Sequence, residues 1–168
     1  AGINDSIGNL ANVSGTAISA NLSNALGSNG DETVDITVSD ALSSAAHVKA
    51  LNEIKAAQHA DNQLTASLTL DASEAAQFSG IANKNLTITV SDAMSVSAFG
   101  TLDAVSSNNV TLSVGLSDSL GNLAPSGSVD AKVTAAIAQD ALSTLNVVVT
   151  PAVTANHAHL NTLAAAVP

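Results

Sequence analysis

The side chains able to do chemistry are fourteen carboxylates, four lysines and four histidines, with no cysteine, tyrosine, tryptophan or arginine. Without a thiol there is no disulfide framework, no Cys-ligated zinc or iron–sulfur cluster and no Cys nucleophile. His157 and His159 are two apart, which turns them to different sides of a helix, so a shared metal would need irregular backbone. His47 and His59 are twelve apart with no partner motif. The sequence holds no G-x-S-x-G, H-E-x-x-H, G-x-x-x-x-G-K-(S/T) or G-x-G-x-x-G. No catalytic or cofactor-binding residue is assigned, and the chain is not expected to be an enzyme. A β-helical lyase or hydrolase would need clustered cations or paired carboxylates in a groove, and the outer strand face offers Lys132 alone. Calcium could bridge acidic groups such as Asp31, Glu32 and Asp35. Neither the calcium nonapeptide nor an EF-hand loop is present, so no metal or cofactor is expected beyond that weak calcium option.

The other carboxylates follow a pattern. Asp40, Asp71, Asp92 and Asp118 each close a short phrase: Val34-Asp-Ile-Thr-Val-Ser-Asp40, Leu64-Thr-Ala-Ser-Leu-Thr-Leu-Asp71, Leu86-Thr-Ile-Thr-Val-Ser-Asp92 and Val110-Thr-Leu-Ser-Val-Gly-Leu-Ser-Asp118. Each phrase alternates apolar and polar residues and is rich in β-branched side chains, which predicts a strand. Val129–Thr134 and Leu145–Thr150 read as weaker copies. Behind the phrases, apolar residues recur every three positions: Val48, Leu51, Ile54; Phe78, Ile81; Phe99, Leu102, Val105; and His157, Leu160, Leu163. This spacing predicts a short helix after each strand, with His157 facing the core. The four aspartates are then expected to cap those helices, and Asp71-Ala-Ser-Glu74 fits a capping box.

One strand and one short helix cannot bury a core alone, but stacked copies can. The predicted fold is α/β, a repeat solenoid with a parallel β-sheet on one side and short helices on the other. Expected inward residues are Val34, Ile36, Val38, Leu64, Ala66, Leu68, Leu70, Leu86, Ile88, Val90, Val110, Leu112 and Val114. The outer sheet face carries Thr37, Ser39, Thr65, Ser67, Thr69, Thr87, Thr89, Ser91, Thr111 and Ser113. A doubly wound sheet fits less well, because its strands would be apolar on both faces. An antiparallel sandwich lacks the hairpin turns, Asn29-Gly30 being the sole Asn-Gly pair. A longer period overlies the short one: Ile3-Asn-Asp-Ser-Ile-Gly-Asn-Leu10 matches Leu116-Ser-Asp-Ser-Leu-Gly-Asn-Leu123. Residues 1–168 are read as one domain, about one and a half copies of a ~112-residue second-order repeat (3–115 and 116–168).

Charge and composition narrow the partners. The formal net charge is -10 and aromatics are 1% of residues. Four cations release few counterions from a phosphate backbone, so nucleic acid is not expected as a partner. No apolar run approaches a membrane span. No basic n-region or initiator Met opens the sequence, so the chain is expected to be a mature product or an excerpt of something longer.

The strand phrases, with Leu86-Thr-Ile-Thr-Val-Ser-Asp92-Ala-Met and the Leu116–Leu123 element, resemble repeats of very large secreted bacterial surface and matrix proteins. In those, V-T-V-T-D-A strands alternate with L-x-D-(S/T)-x-x-N-L elements. The resemblance implies an extracellular or cell-surface location and a role in a surface layer, adhesin or sheath. The long 34–64 unit and Thr150, in the place of an Asp, depart from the pattern. The leading expectation is a structural module of a surface layer, filament or sheath that associates with itself head to tail. The alternative is an adhesin or glycan- or surface-binding module using the Ser/Thr face. An ice-binding face is a further branch, though Ser and Asp interrupt the threonine rows.

Overall fold

The computed structural model describes residues 2–14, 17–28, 34–78, 84–106, 109–139, 145–150 and 157–167. The fold is α/β. Five strands, β1 (Gly2–Asp5), β2 (Asp35–Leu42), β3 (Leu64–Leu70), β4 (Lys84–Val90) and β5 (Val110–Leu112), form one sheet in chain order, every neighbouring pair parallel. Two further strands, β6 (Leu116–Asp118) and β7 (Val147–Val149), pair in parallel. A parallel bridge from Met94 to Leu116 ties β6 to the chain leaving β4. Helices alternate with the strands: α1 (Ile7–Leu10) and α2 (Ala20–Ser28), α3 (Ala45–Ala57), α4 (Ala72–Ala75), α5 (Val96–Ser106), α6 (Leu120–Leu123) and α7 (Ala131–Gln139), and α8 (His157–Ala166). Parallel neighbours need a crossover between them, and the helices supply it.

Alternation sorts each strand into two faces. Val34, Ile36, Val38, Leu64, Ala66, Leu68, Leu70, Leu86, Ile88, Val90 and Val110 are buried, and Leu112 is half-buried. Val48, Leu51, Ile54, Phe99, Leu102 and Val105 bring the helices into the same cluster, which runs from Ile7 to Leu163. The ten hydroxyl residues of the opposite face are exposed or half-exposed.

Three expectations are corrected. Val114 is exposed, because β5 ends at Leu112 and the chain bends through Ser113 and Val114 into Gly115, whose φ of 105° is open to glycine. Val129–Thr134 is not a strand: its second half opens α7, and Val133 and Ala136 are the buried helical positions. His157 is exposed, because α8 begins there and the core-facing position is Leu163. Ile81 lies outside the described residues.

Candidate functional site

The recurrent aspartates act between strand–helix units. Residue pairing sets Asp5 beside Val38, Leu70 beside Val90 and Met94 beside Leu116. Two residues further on, an Asp of the later strand lies opposite the first residue of the earlier unit's helix. The backbone N–H of Ile7 donates to Asp40 Oδ2 at 2.9 Å, that of Ala72 to Asp92 Oδ1 at 2.6 Å, and that of Val96 to Asp118 Oδ2 at 3.0 Å. These are the opening residues of α1, α4 and α5, whose first N–H groups have no intrahelical acceptor. An ionised acceptor there forms a charge-assisted bond and complements the helix dipole.

The expectation that each Asp caps its own following helix is therefore corrected for three of the four. Asp40 lies inside β2, which runs on to Leu42, and α3 is capped by Ser44, whose side chain accepts from the His47 N–H. Asp92 is four residues short of α5, where Ser95 Oγ accepts from the Ala98 N–H at 3.2 Å. Asp118 precedes Ser119, and it is Ser119 that caps α6. Asp71 directly precedes α4 and caps it: Asp71 Oδ1 accepts from the Glu74 N–H at 2.8 Å, and Glu74 Oε2 from the Asp71 N–H at 3.0 Å.

Asp5 and Asp118 also carry matching local brackets. Ser6 N–H and Asn9 Nδ2 both donate to Asp5 Oδ1 at 2.8 Å. Ser119 N–H and Asn122 Nδ2 both donate to Asp118 Oδ1 at 2.7 Å. These bonds hold the carboxyls on the acidic side. The Asn9 amide, then the Ser6 N–H, lower Asp5. The Ser73 hydroxyl, then the Glu74 N–H, lower Asp71. Burial pushes Asp118 up, but Asn122, Ser119 and Val96 together outweigh it.

The outer face forms rows across the sheet. Thr37 pairs with Thr65 and Thr65 with Asn85; Ala41 pairs with Ser67 and Ser67 with Thr87; Thr69 pairs with Thr89 and Thr89 with Thr111. Hydroxyls then repeat at ~4.8 Å across strands and ~6.7 Å along them. A register shift in β2 between Thr37 and Ala41 interrupts the second row with a methyl group. A shallow hollow of about 130 Å³ opens there, lined by Ala41, Ser67, Thr69, Thr87 and Thr89 over Leu42 and Leu68.

Of the calcium group, Asp31 and Glu32 lie outside the described residues, and Asp35 Oδ1 accepts the Gln63 N–H at 2.8 Å. Among the described residues no three His, Asp or Glu side chains gather as a metal site would require. His47 Nδ1 accepts the Ser43 N–H at 3.1 Å, and His59 sits 3.5 Å from Asp61 on the surface.

One buried polar group lies outside the sequence expectations. Lys55 is 3% exposed, and its ammonium donates to the Asn62 carbonyl. Gln58 Nε2 donates to Val34 O at 2.9 Å, pinning the start of β2. Burial pushes the Lys55 ammonium below the usual lysine value, against the pull of Asp35 and Asp61. Its place after Ile54 on the apolar side of α3 was the available signal.

No protein-family model, curated protein or solved structure matches the chain. Among the described residues no helix is long and apolar enough to cross a membrane.

Proposed function

We propose that the chain is a structural module of an extracellular surface layer, filament or sheath, built as a repeat solenoid and assembled end to end. The observation that carries this reading is the set of lateral caps. At α1, α4 and α5 the following strand–helix unit completes its neighbour's helix start as well as its sheet edge, so those units are finished by the next. The sheet order leaves β1, β5 and β7 each paired with one strand among the described residues, and the Val110 N–H of β5 is taken by Gln139 Oε1. Open parallel edges are association sites, and head-to-tail contacts that do not close generate filaments. The resemblance to secreted bacterial surface proteins and the lack of cysteine agree with a role outside the cell. The repeat of 3–115 in 116–168 supports a unit made to follow its own copy. Electron microscopy and sedimentation of the purified chain test the reading. Filaments or a lattice are expected; dispersed monomers at millimolar concentration would remove it.

A second reading is favoured by one feature, the hydroxyl-lined hollow at the β2 shift. On it, the outer face binds an uncharged glycan or similar surface as an adhesin would. Retention on insoluble polysaccharide, lost in a Ser67→Glu/Thr87→Glu variant, is its expected signature. Thermal hysteresis in the same sample separates glycan from ice.

A further inference from the structure

The units β1–α1 and β6–α6 share sequence pattern and the local bracket on the aspartate Oδ1, yet they differ at the other carboxylate oxygen. Asp118 Oδ2 takes the Val96 N–H from the preceding unit. Among the described residues Asp5 Oδ2 has no donor and the outer edge of β1 has no strand. The apolar surroundings differ in the same way. Leu116 is fully buried with α5 packed against β6, whereas Ile3, its counterpart, is only partly buried. Beside Ile3 the surface opens into a groove of about 350 Å³, lined by Asp5, Leu10, Asn21, Leu22 and Ala25. Among the described residues Asp5 is its one charged lining residue.

We infer that the β1 edge is a docking site for a second copy of this chain, seated through its β7 edge. The inference rests on the end-to-end reading above and names its interface. Inside the molecule the same unit already sits on a neighbour, through the Met94–Leu116 bridge and the Asp118 bond, so the β1 edge continues an interface the fold makes once. The partner strand is β7 rather than β5, because the Val110 N–H of β5 is already taken by Gln139 Oε1, and joining β7 to β1 keeps the parallel sense of every ladder pair. Val147 and Val149, both partly buried, bring apolar side chains to that edge. Asp5 Oδ2 is the acceptor that a donor of the docked copy would meet, as Asp118 Oδ2 meets the Val96 N–H inside the molecule.

The test compares the 168-residue chain with Asp5→Asn and Asn21→Glu. Asp5→Asn keeps one oxygen for Ser6 and Asn9 and turns the outer oxygen into a donor. Asn21 is exposed in the first turn of α2, where Glu suits the helix dipole while bringing a like charge to the groove. Sedimentation velocity over a concentration series, with micrographs, reads assembly; melting of the dilute monomer reads folding. The wild type is expected to form chains, and each variant to raise the concentration required about tenfold or more, with an unchanged monomer melt in Asn21→Glu and a small drop in Asp5→Asn, which loses the ionised acceptor of Ser6 and Asn9. Wild-type chains matched by both variants at the same concentration overturn the β1 site and leave end-to-end assembly standing. A wild type that stays monomeric, or stops at a β1–β1 dimer, overturns both.

Discussion

A carboxylate that accepts backbone N–H groups is worth more ionised than protonated, and this sets the acid limit of the molecule. Asp5, Asp71 and Asp118 are all held below the ordinary aspartate value. The unfolded chain therefore binds protons first as pH falls. Their contribution is fully present above pH ~4 and is lost as pH drops through the folded values. Urea unfolding from pH 7 to pH 2 should show stability falling below about pH 4, with a shallower fall in Asp118→Asn. Asp118→Ala, which removes both the Val96 bond and the local bracket, is expected to cost about 2 kcal/mol at neutral pH. Equal acid slopes in wild type and Asp118→Asn would remove the lateral cap from this account. Lys55 works at the other end. Its pKa is pushed down by burial, so between that lowered value and the ordinary one the unfolded chain holds more protons and stability rises with pH. With no Cys or Tyr to titrate there, the rise above neutral pH should flatten in Lys55→Met. An unchanged slope in that variant would mean the ammonium reaches water. The aspartates were legible as helix-cap residues from type and spacing. Their real donors lie 20 to 33 residues earlier, and only strand pairing discloses that.

At the scale of the element, the strands of the Val34, Leu64 and Leu86 phrases are present, because half-burial is what alternation encodes, and the Val110 phrase is present as β5 and β6 on either side of a break. What escaped were elements too short or too mixed to carry a period. Gly2–Asp5 is a strand by virtue of pairing with β2, and four residues hold no pattern of their own. Val129–Thr134 alternates by coincidence, and the Ala-rich run behind it decides for helix. Two glycines separate the backbone requirements. Gly115 has φ +105°, and an added Cβ would lie 2.0 Å from the Asn146 carbonyl oxygen. The Leu116 N–H donates to that same oxygen at 2.8 Å, so the close approach is part of the β6–β7 join. Gly115→Ala should cost about 3 kcal/mol and loosen β7 first, seen as faster amide exchange at Val147–Val149. Gly8 lies within α1 with open space around it, and Gly8→Ala should gain about 0.5–1 kcal/mol. Chemical denaturation of the pair checks both, and equal effects at the two sites would contradict the close approach at Gly115.

At the scale of the whole molecule, two forces oppose each other when copies meet. Open strand edges at β1 and β7 favour contact, and the net charge of -10 disfavours it. The repulsion is long-ranged and carried by exposed carboxylates, so it is screened: the Debye length falls from ~10 Å at 0.1 M to ~3 Å at 1 M. The attraction comes from backbone pairing and apolar burial at short range, which salt leaves largely intact. Association should therefore rise with ionic strength, the reverse of an assembly held by ion pairs. Sodium and calcium chloride matched in ionic strength distinguish general screening from a specific ion. If Asp31, Glu32 and Asp35 bridge calcium, association will rise at micromolar to millimolar calcium with screening held constant. If only the field matters, the two salts will give superimposable light-scattering curves. A fall in scattering as sodium chloride is added would show that the contact depends on opposite charges, which the four lysines among fourteen carboxylates are poorly placed to supply.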